Sequence, residues 1–325
     1  MKKFFKFLTT TIIIFITLLG LLCVDVFFIE PNVLLTKSQK LEIPNWNKDL
    51  NGFKIALVTD IHLGTRFVDL KKLDKIVKTI NAKNPDLIVI GGDLDAKSIA
   101  NKKYSTAQIA NILKNLKSKH GVIAVMGNHD YVPDKIVKEI YAKSNIKILE
   151  QEDFFIIHNG KSIRLVGFKD LWHFKSKPSV VVGTKYKTTP TITLAHNPDS
   201  FAQMPELVSL TLSGHTHGGE IVLPFIGSFF IPSEYGQRYR NGYIIENNKH
   251  LFVSRGVATL SGGRFLDPPE INILTLYSQK EIPQNTKVIK GIKSNFAPQT
   301  MRILKFLVIL IYRFIVVLQR GQISR

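Results

Sequence analysis

The sequence predicts an α/β fold, and three patterns in it do so. Short apolar runs rich in β-branched residues alternate with segments whose apolar side chains recur at helical spacing. Several of those runs end in turns of Gly, Asp, Asn or His, the positions where an α/β sheet gathers its functional groups. The chain of 325 residues is 45% hydrophobic and 21% charged, so it can bury a large core and is not a disordered polymer.

At the N-terminus, Lys2, Lys3 and Lys6 precede an uncharged run over residues 7–24. That is roughly the eighteen residues from which a bilayer-crossing helix is recognised. Asp25 interrupts the run, and Val26, Phe27, Phe28 and Ile29 resume it. No small-x-small cleavage pattern follows, so residues 1–29 read as a retained, single-span anchor in the cytoplasmic membrane. The leading lysines favour an internal N-terminus and an external domain, but Lys37 and Lys40 follow the span closely and leave the side open. Cys23 is the only cysteine, which rules out an internal disulfide, and Leu22 before it does not suit a lipoprotein cleavage site. Residues 30–52, with Pro31, Pro44, Asn45, Asn47 and Asn51, read as a linker.

Residues 53–280 read as one folded domain. A strand over 53–58 is followed by a helix over 69–83 with Leu70, Leu73, Ile76, Val77 and Ile80 on one face, then by a strand over 87–90. The next helix opens at Ser105 with Gln108 three residues on, a capping-box pattern, and keeps Ile109, Ile112, Leu113 and Leu116 together. A strand over 121–126 completes a β-α-β-α-β half. Helical spacing over 134–143 gives way to strands near 147–149, 154–157, 162–166, 191–194, 208–212, 251–253 and 271–276. The lysine-rich stretch 169–190 reads as an exposed excursion. In the tail, 281–325, an apolar segment over 303–318 contains Lys305 and Arg313, which fall on one helical side with the flanking Arg302 and Arg320. That pattern predicts a basic amphipathic helix in a membrane interface, with docking on the domain's own core as the alternative.

The turns supply the chemistry. Asp60 and His62 follow the first strand of the domain, Asp93 the second, and Asn128, His129 and Asp130 the third; His196, then His215 and His217, follow later strands. Five of the nine histidines lie in these turns, too ordered for scatter. Carboxylates and imidazoles suit Mn, Fe, Zn or similar divalent ions, and a carboxylate such as Asp93 has two oxygens with which to bridge a pair. The lone cysteine excludes a thiolate zinc site.

Asp-x-His, Gly-Asp, Gly-Asn-His-Asp, His and Gly-His-x-His, in this order over residues 53–277, resemble the calcineurin-like metallophosphoesterases. The strings over 195–199, 213–219 and 232–236 look like the membrane-anchored bacterial branch, which includes broad phosphodiesterases and an enzyme cleaving UDP-2,3-diacylglucosamine in lipid A synthesis. The resemblance implies a four-layer αββα sandwich and two divalent metal ions, manganese ahead of iron, zinc or magnesium. By it, one ion takes Asp60, His62, Asp93 and His217, and the other Asp93, Asn128, His196 and His215. His129 is then the acid that protonates the leaving oxygen or stabilises the transferred phosphoryl, and Asp130 matches the acidic residue that often follows. Many relatives carry Asp three residues after the bridging Asp; here Ala96 stands there, with Asp95 one position earlier.

Arg255 and Arg264, each beside a glycine, are candidate substrate-phosphate ligands. His120, His158, His173 and His250 lie outside the turns and read as structural or exposed, and residues 225–231 as an acyl-binding wall or ordinary packing. Lys plus Arg at 44 against Asp plus Glu at 25 gives a net charge of +19, which suits an anionic membrane or nucleic acid. With no recognised nucleic-acid module, the membrane ranks first. The expected function is hydrolysis of a lipid or lipid-linked diphosphate such as UDP-2,3-diacylglucosamine. The alternatives are a broad phosphodiesterase or nuclease on the outer side of the membrane, and a noncatalytic metal-binding membrane scaffold.

Overall fold

The structure, a computed structural model, describes residues 1–94 and 103–279. Asp95, Ala96 and the expected C-terminal amphipathic helix lie outside the described residues.

Helix α1 (Lys2–Val24) buries none of its residues, and helical backbone continues through Ile29 into a tight turn over Glu30–Asn32. Among the described residues this is the one helix long and apolar enough to cross a membrane. Strand β1 (Leu35–Ile43) follows, where the sequence was expected to form a linker. Polar side chains occupy the exposed half of β1, while Leu41 and Ile43 at its end, with Trp46 and Leu50 beyond, are buried. Its partner in the sheet comes from the far end of the domain.

The next elements are β2 (Phe53–Val58), α2 (Leu70–Asn81), β3 (Leu87–Ile90), α3 (Thr106–Leu113), β4 (Val122–Ala124), α4 (Asp134–Lys143) and β5 (Lys147–Ile148). Asp69 caps α2 by accepting the Lys72 N–H at 2.8 Å, and Leu73, Ile76, Val77 and Ile80 form its buried stripe. Ser105 and Gln108 form the reciprocal capping box of α3, which ends at Leu113, short of Leu116.

The second half comprises β6 (Asp153–His158), β7 (Lys161–Gly167), α5 (Pro178–Val182), β8 (Thr191–Leu194), β9 (Leu210–Ser213), the small hairpin β10 (Val222–Leu223) and β11 (Gly227–Ser228), β12 (Gly242–Glu246), β13 (Lys249–Val253) and β14 (Glu270–Ser278).

Two mixed six-stranded sheets result, in the orders β1-β14-β2-β3-β4-β5 and β12-β13-β9-β8-β7-β6. Strand β1 runs parallel to β14 with Leu35 opposite Glu270, β14 antiparallel to β2, and β2, β3 and β4 parallel. In the second sheet β7, β8, β9 and β13 are parallel.

Period-two alternation explains the layering. In β2, Phe53, Ile55 and Leu57 face the second sheet, while Ala56 and Val58 face α2, α3 and α4. One core therefore lies between the sheets and one beneath the helices. Each aliphatic side chain fully buried there contributes roughly 1.5–3 kcal/mol. The second sheet's outer face is covered by α5 and tight turns carrying Phe201, Met204 and Tyr239, so this layer holds much less helix than the first. With β2, β3 and β4 parallel in one sheet and β8 and β9 parallel in the other, their carboxyl ends open on a common edge.

Candidate metal centre

Each strand end delivers its side chain through a hydrogen-bonded turn. The Asp60 N–H bonds the Gly92 carbonyl and the His62 N–H the Asp93 carbonyl, both at 3.0 Å, while the Gly214 N–H bonds the His196 carbonyl at 3.0 Å. Asp60, His62, Asp93, His215 and His217 all have positive φ, between 40° and 68°. Such backbone costs on the order of 1–3 kcal/mol per residue and persists only where the surroundings enforce it. Glycines permit the crowding: a Cβ on Gly127 would lie 2.1 Å from Asp93 Oδ1, and one on Gly214 2.4 Å from Asp60 Oδ2.

Every one of the seven candidate ligands is buried here. Asp60 Oδ1 lies 3.3 Å from His217 Nε2, which is 3.2 Å from His62 Nε2. Asp93 Oδ2 stands between His62 Nε2 at 3.4 Å and His196 Nε2 at 3.2 Å. Asn128 Oδ1 is 3.2 Å from His196 Nε2, and the His215 ring is 5.0 Å from that of His196. Thus His217 stands with Asp60 and His62, His215 with His196, and Asp93 between them. Ligand atoms of Asp60, His62 and His217, and of Asp60, Asp93 and His196, lie within 4.8 Å of one another.

These residues fit a pair of divalent ions. Two imidazole Nε2 atoms face each other beside carboxylate oxygens, and buried His215 Nε2 has no hydrogen-bond partner among the described residues. A cation supplies what those lone pairs lack. His196 Nδ1 lies 2.8 Å from the Gly91 carbonyl, a contact that aims Nε2 at Asp93; burial works against the charged ring, but Asp93 and Asp60 overcome it and raise His196 well above its ordinary value. Burial, against the field of Asp93, brings His62 down to about 4; burial with the neighbouring His196 brings His215 down to about 3. Both imidazoles are therefore neutral at pH 7, the form that ligates. Burial alone would raise Asp93, but His196 and His62 overcome it and hold the carboxyl well below its usual range.

His129 is half-buried, its ring 4.9 Å from that of His62 and its backbone N–H donating to Asp93 Oδ1 at 2.9 Å. Asp130, expected to share in catalysis, is fully buried and accepts the backbone N–H groups of Asp93, Leu94 and Gly127 at 2.8–2.9 Å. It ties the β3 and β4 turns together, a positioning role.

Of the two arginines expected to bind substrate phosphate, Arg264 needs correction, while Arg255 is partly exposed and ion-paired. Arg264 is wholly buried; its guanidinium donates to the carbonyls of His217, Ala258, Arg255 and Asp267 and lies 3.3 Å from Asp267 Oδ2. Arg255 Nε is paired with Asp267 Oδ1 at 3.1 Å. Both therefore hold loop 255–267 in shape.

Three residues of the expected excursion reach the site instead. His173 Nε2 lies 2.9 Å from the Asn128 carbonyl, and the largely exposed Trp172 presents its ring edge-to-face to His215 at 4.7 Å. Asp170, buried and raised by that burial, accepts the Trp172 N–H at 2.8 Å. Asp170 comes three residues after the end of β7, so the rule that located the other turns applied here too. His120, His158 and His250 are structural: the first two pair at 3.0 Å and the third bonds the Tyr243 hydroxyl.

Two sheets meeting at a carboxylate-imidazole cluster define a metal-dependent phosphoester hydrolase. The sequence profile of the calcineurin-like phosphoesterases matches residues 53–219, and the chain belongs to that family. It is 31% identical to the phosphodiesterase YaeI of Escherichia coli, over 69% of this chain and 82% of that protein. To the uncharacterized metallophosphoesterase YkuE of Bacillus subtilis it is 29% identical, over 77% and 88%. To the UDP-2,3-diacylglucosamine pyrophosphatase LpxG of Chlamydia muridarum it is 25% identical, over 76% and 90%.

Proposed function

We propose that the protein is a phosphodiesterase of broad specificity, held at the membrane by α1. The observation that carries this is the pair of carboxylate-imidazole clusters that share Asp60, with Asp93 standing between His62 and His196 and His129 against His62. Asp60, His62, Asp93 and His217 would hold one ion, and Asp93, Asn128, His196 and His215 the other. When bound, such ions supply Lewis acidity to a phosphoryl oxygen and to the attacking water. The chain supplies the rest. Asp93 and Asp60 balance the cationic charge, Gly91 and Ala258 carbonyls aim the His196 and His217 rings, and His129 donates a proton to the departing ester oxygen. Trp172 stands against the His215 ring and His173 against the Asn128 carbonyl, which gives that side of the site two ring-bearing walls for an ester substituent.

Similarity to YaeI supports the diester reading, and three lysines at the start of α1, ahead of its apolar run, against two soon after the helix support a domain on the outer side. A second reading, cleavage of UDP-2,3-diacylglucosamine, draws on the likeness to LpxG and on the apolar anchor. Purified full-length protein with Mn should hydrolyse bis-p-nitrophenyl phosphate faster than UDP-2,3-diacylglucosamine. Asp93→Ala should lose bound metal and at least about 10³-fold in kcat/KM, the scale of removing a charge-stabilising element. Full activity in Asp93→Ala would overturn the mechanism, and exclusive turnover of the UDP-lipid would establish the second reading.

A further inference from the structure

The geometry points to a second membrane contact, in which loop 259–267 and hairpin 220–230 rest on the same lipid bilayer that α1 enters. The inference builds on α1 as the anchor and adds a docking surface to it.

The end of the anchor is packed onto the domain rather than tethered to it. The Val26 carbonyl accepts the Arg264 N–H at 2.9 Å, and the Glu30 carboxylate accepts the Leu266 and Asp267 N–H groups at 3.0 and 2.5 Å. A Cβ on Gly263 would come within 2.8 Å of the Phe27 ring, so the backbone approach is close. On its other side the same loop is joined to the hairpin. Phe265 N–H bonds the Glu220 carbonyl at 2.9 Å, Val222 N–H bonds the Phe265 carbonyl at 3.0 Å, and the Glu220 carboxylate accepts the Leu260 and Ser261 N–H groups at 2.6 Å. Anchor end, loop and hairpin are thereby one hydrogen-bonded unit.

That unit exposes Phe28, Ile29, Leu260, Leu266, Phe225 and Phe230, with Phe225 at 100% and Phe230 at 70%. Scattered single apolar side chains are ordinary on a protein surface, but six large ones on three adjoining segments are an interaction surface. A bilayer is the occupant because the surface is continuous with the anchor: Phe28 and Ile29 are the last residues of the apolar segment itself. Arg66 lies 5.1 Å from the Phe28 ring, a cation at the level where lipid phosphates sit. The hairpin departs directly from Gly218 and Gly219, so the docked surface begins next to His217. A phosphoester at headgroup depth then meets the metal centre without leaving the membrane.

Full-length protein in vesicles of phosphatidylethanolamine and phosphatidylglycerol tests this. An environment-sensitive fluorophore on native Cys23, which is exposed within α1, reports on the anchor. In a Cys23→Ser background, the same fluorophore is placed on Phe225→Cys, Phe230→Cys and, as a remote exposed control in β6, Ile157→Cys. Lipids carrying a nitroxide high on the acyl chain should quench emission at 23, 225 and 230 and leave 157 unchanged. Quenching at 23 with full emission at 225 and 230 would overturn the docking surface while sparing the anchor. Full emission at 23 would overturn both. A blue shift at 225 without nitroxide quenching would mean that protein, such as a second copy, covers the hairpin, and would equally overturn it. None of these readouts depends on hydrolysis, so the phosphodiester reading stands or falls separately.

Discussion

At the scale of single residues, His129 is the side chain whose role the geometry narrows most. Its imidazole is half-buried against the cluster, with its backbone N–H held by Asp93 and its ring against His62. His129→Ala should keep its metal content and lose about 10²–10⁴-fold in kcat, the range for a positioned acid or base. The loss should be smaller for a p-nitrophenyl ester, whose leaving group needs little protonation, than for an alkyl ester. An equal loss on both would remove the acid role. The side chains that gather at the strand ends were legible in the sequence because a strand end followed by Asp, Asn or His needs no distant partner to be recognised. Arg264 and Asp130 were not, since what decides them is partnering. Arg264 is enclosed by carbonyls from residues 217, 255, 258 and 267, and a guanidinium so occupied looks in sequence like any arginine after two glycines.

Among the elements, β1 separates what local pattern can say from what it cannot. Prolines and asparagines around residues 35–43 argued for a linker, whereas the strand forms because β14, more than two hundred residues later, offers a parallel partner. The helices were easier, since the α2 stripe and the α3 capping box are local. Leu41→Ala tests the strand directly: a linker leucine would cost almost nothing, but this fully buried one should cost about 2–5 kcal/mol in urea unfolding. Strand β13 makes a pH prediction. Burial lowers His250 to about 4, against an ordinary value of 6.5. As pH falls from about 6.5 to about 4, the unfolded chain takes up a proton that folded His250 refuses, so stability falls through that window. His62 and His215 act in the same direction, so the measurable quantity is the difference from a variant. His250→Gln should have a shallower decline in unfolding midpoint across that window, and an unchanged slope would show that His250 titrates normally.

For the whole molecule, the candidate ligands divide between the two sheets. Asp60, His62, Asp93 and Asn128 follow strands of the first sheet, while His196, His215 and His217 follow strands of the second. The close-packed core between the sheets already sets their relative placement, and a cluster that draws on both strand sets adds a tie at their common edge. Bound ions would therefore fasten the sheets at one end, and would offset the positive-φ strain concentrated there. An ion that binds only the folded state adds stability by mass action, about 2.7 kcal/mol at a hundredfold excess over Kd for each site. For a domain of this size, that corresponds to roughly 5–10 °C in melting temperature. Mn should raise the melting temperature by at least that much over chelator-treated protein, and Asp93→Ala, which removes the shared carboxylate, should abolish most of the increment. A wild-type protein that melts at one temperature with Mn and with chelator would show that the cluster joins the sheets without any help from metal.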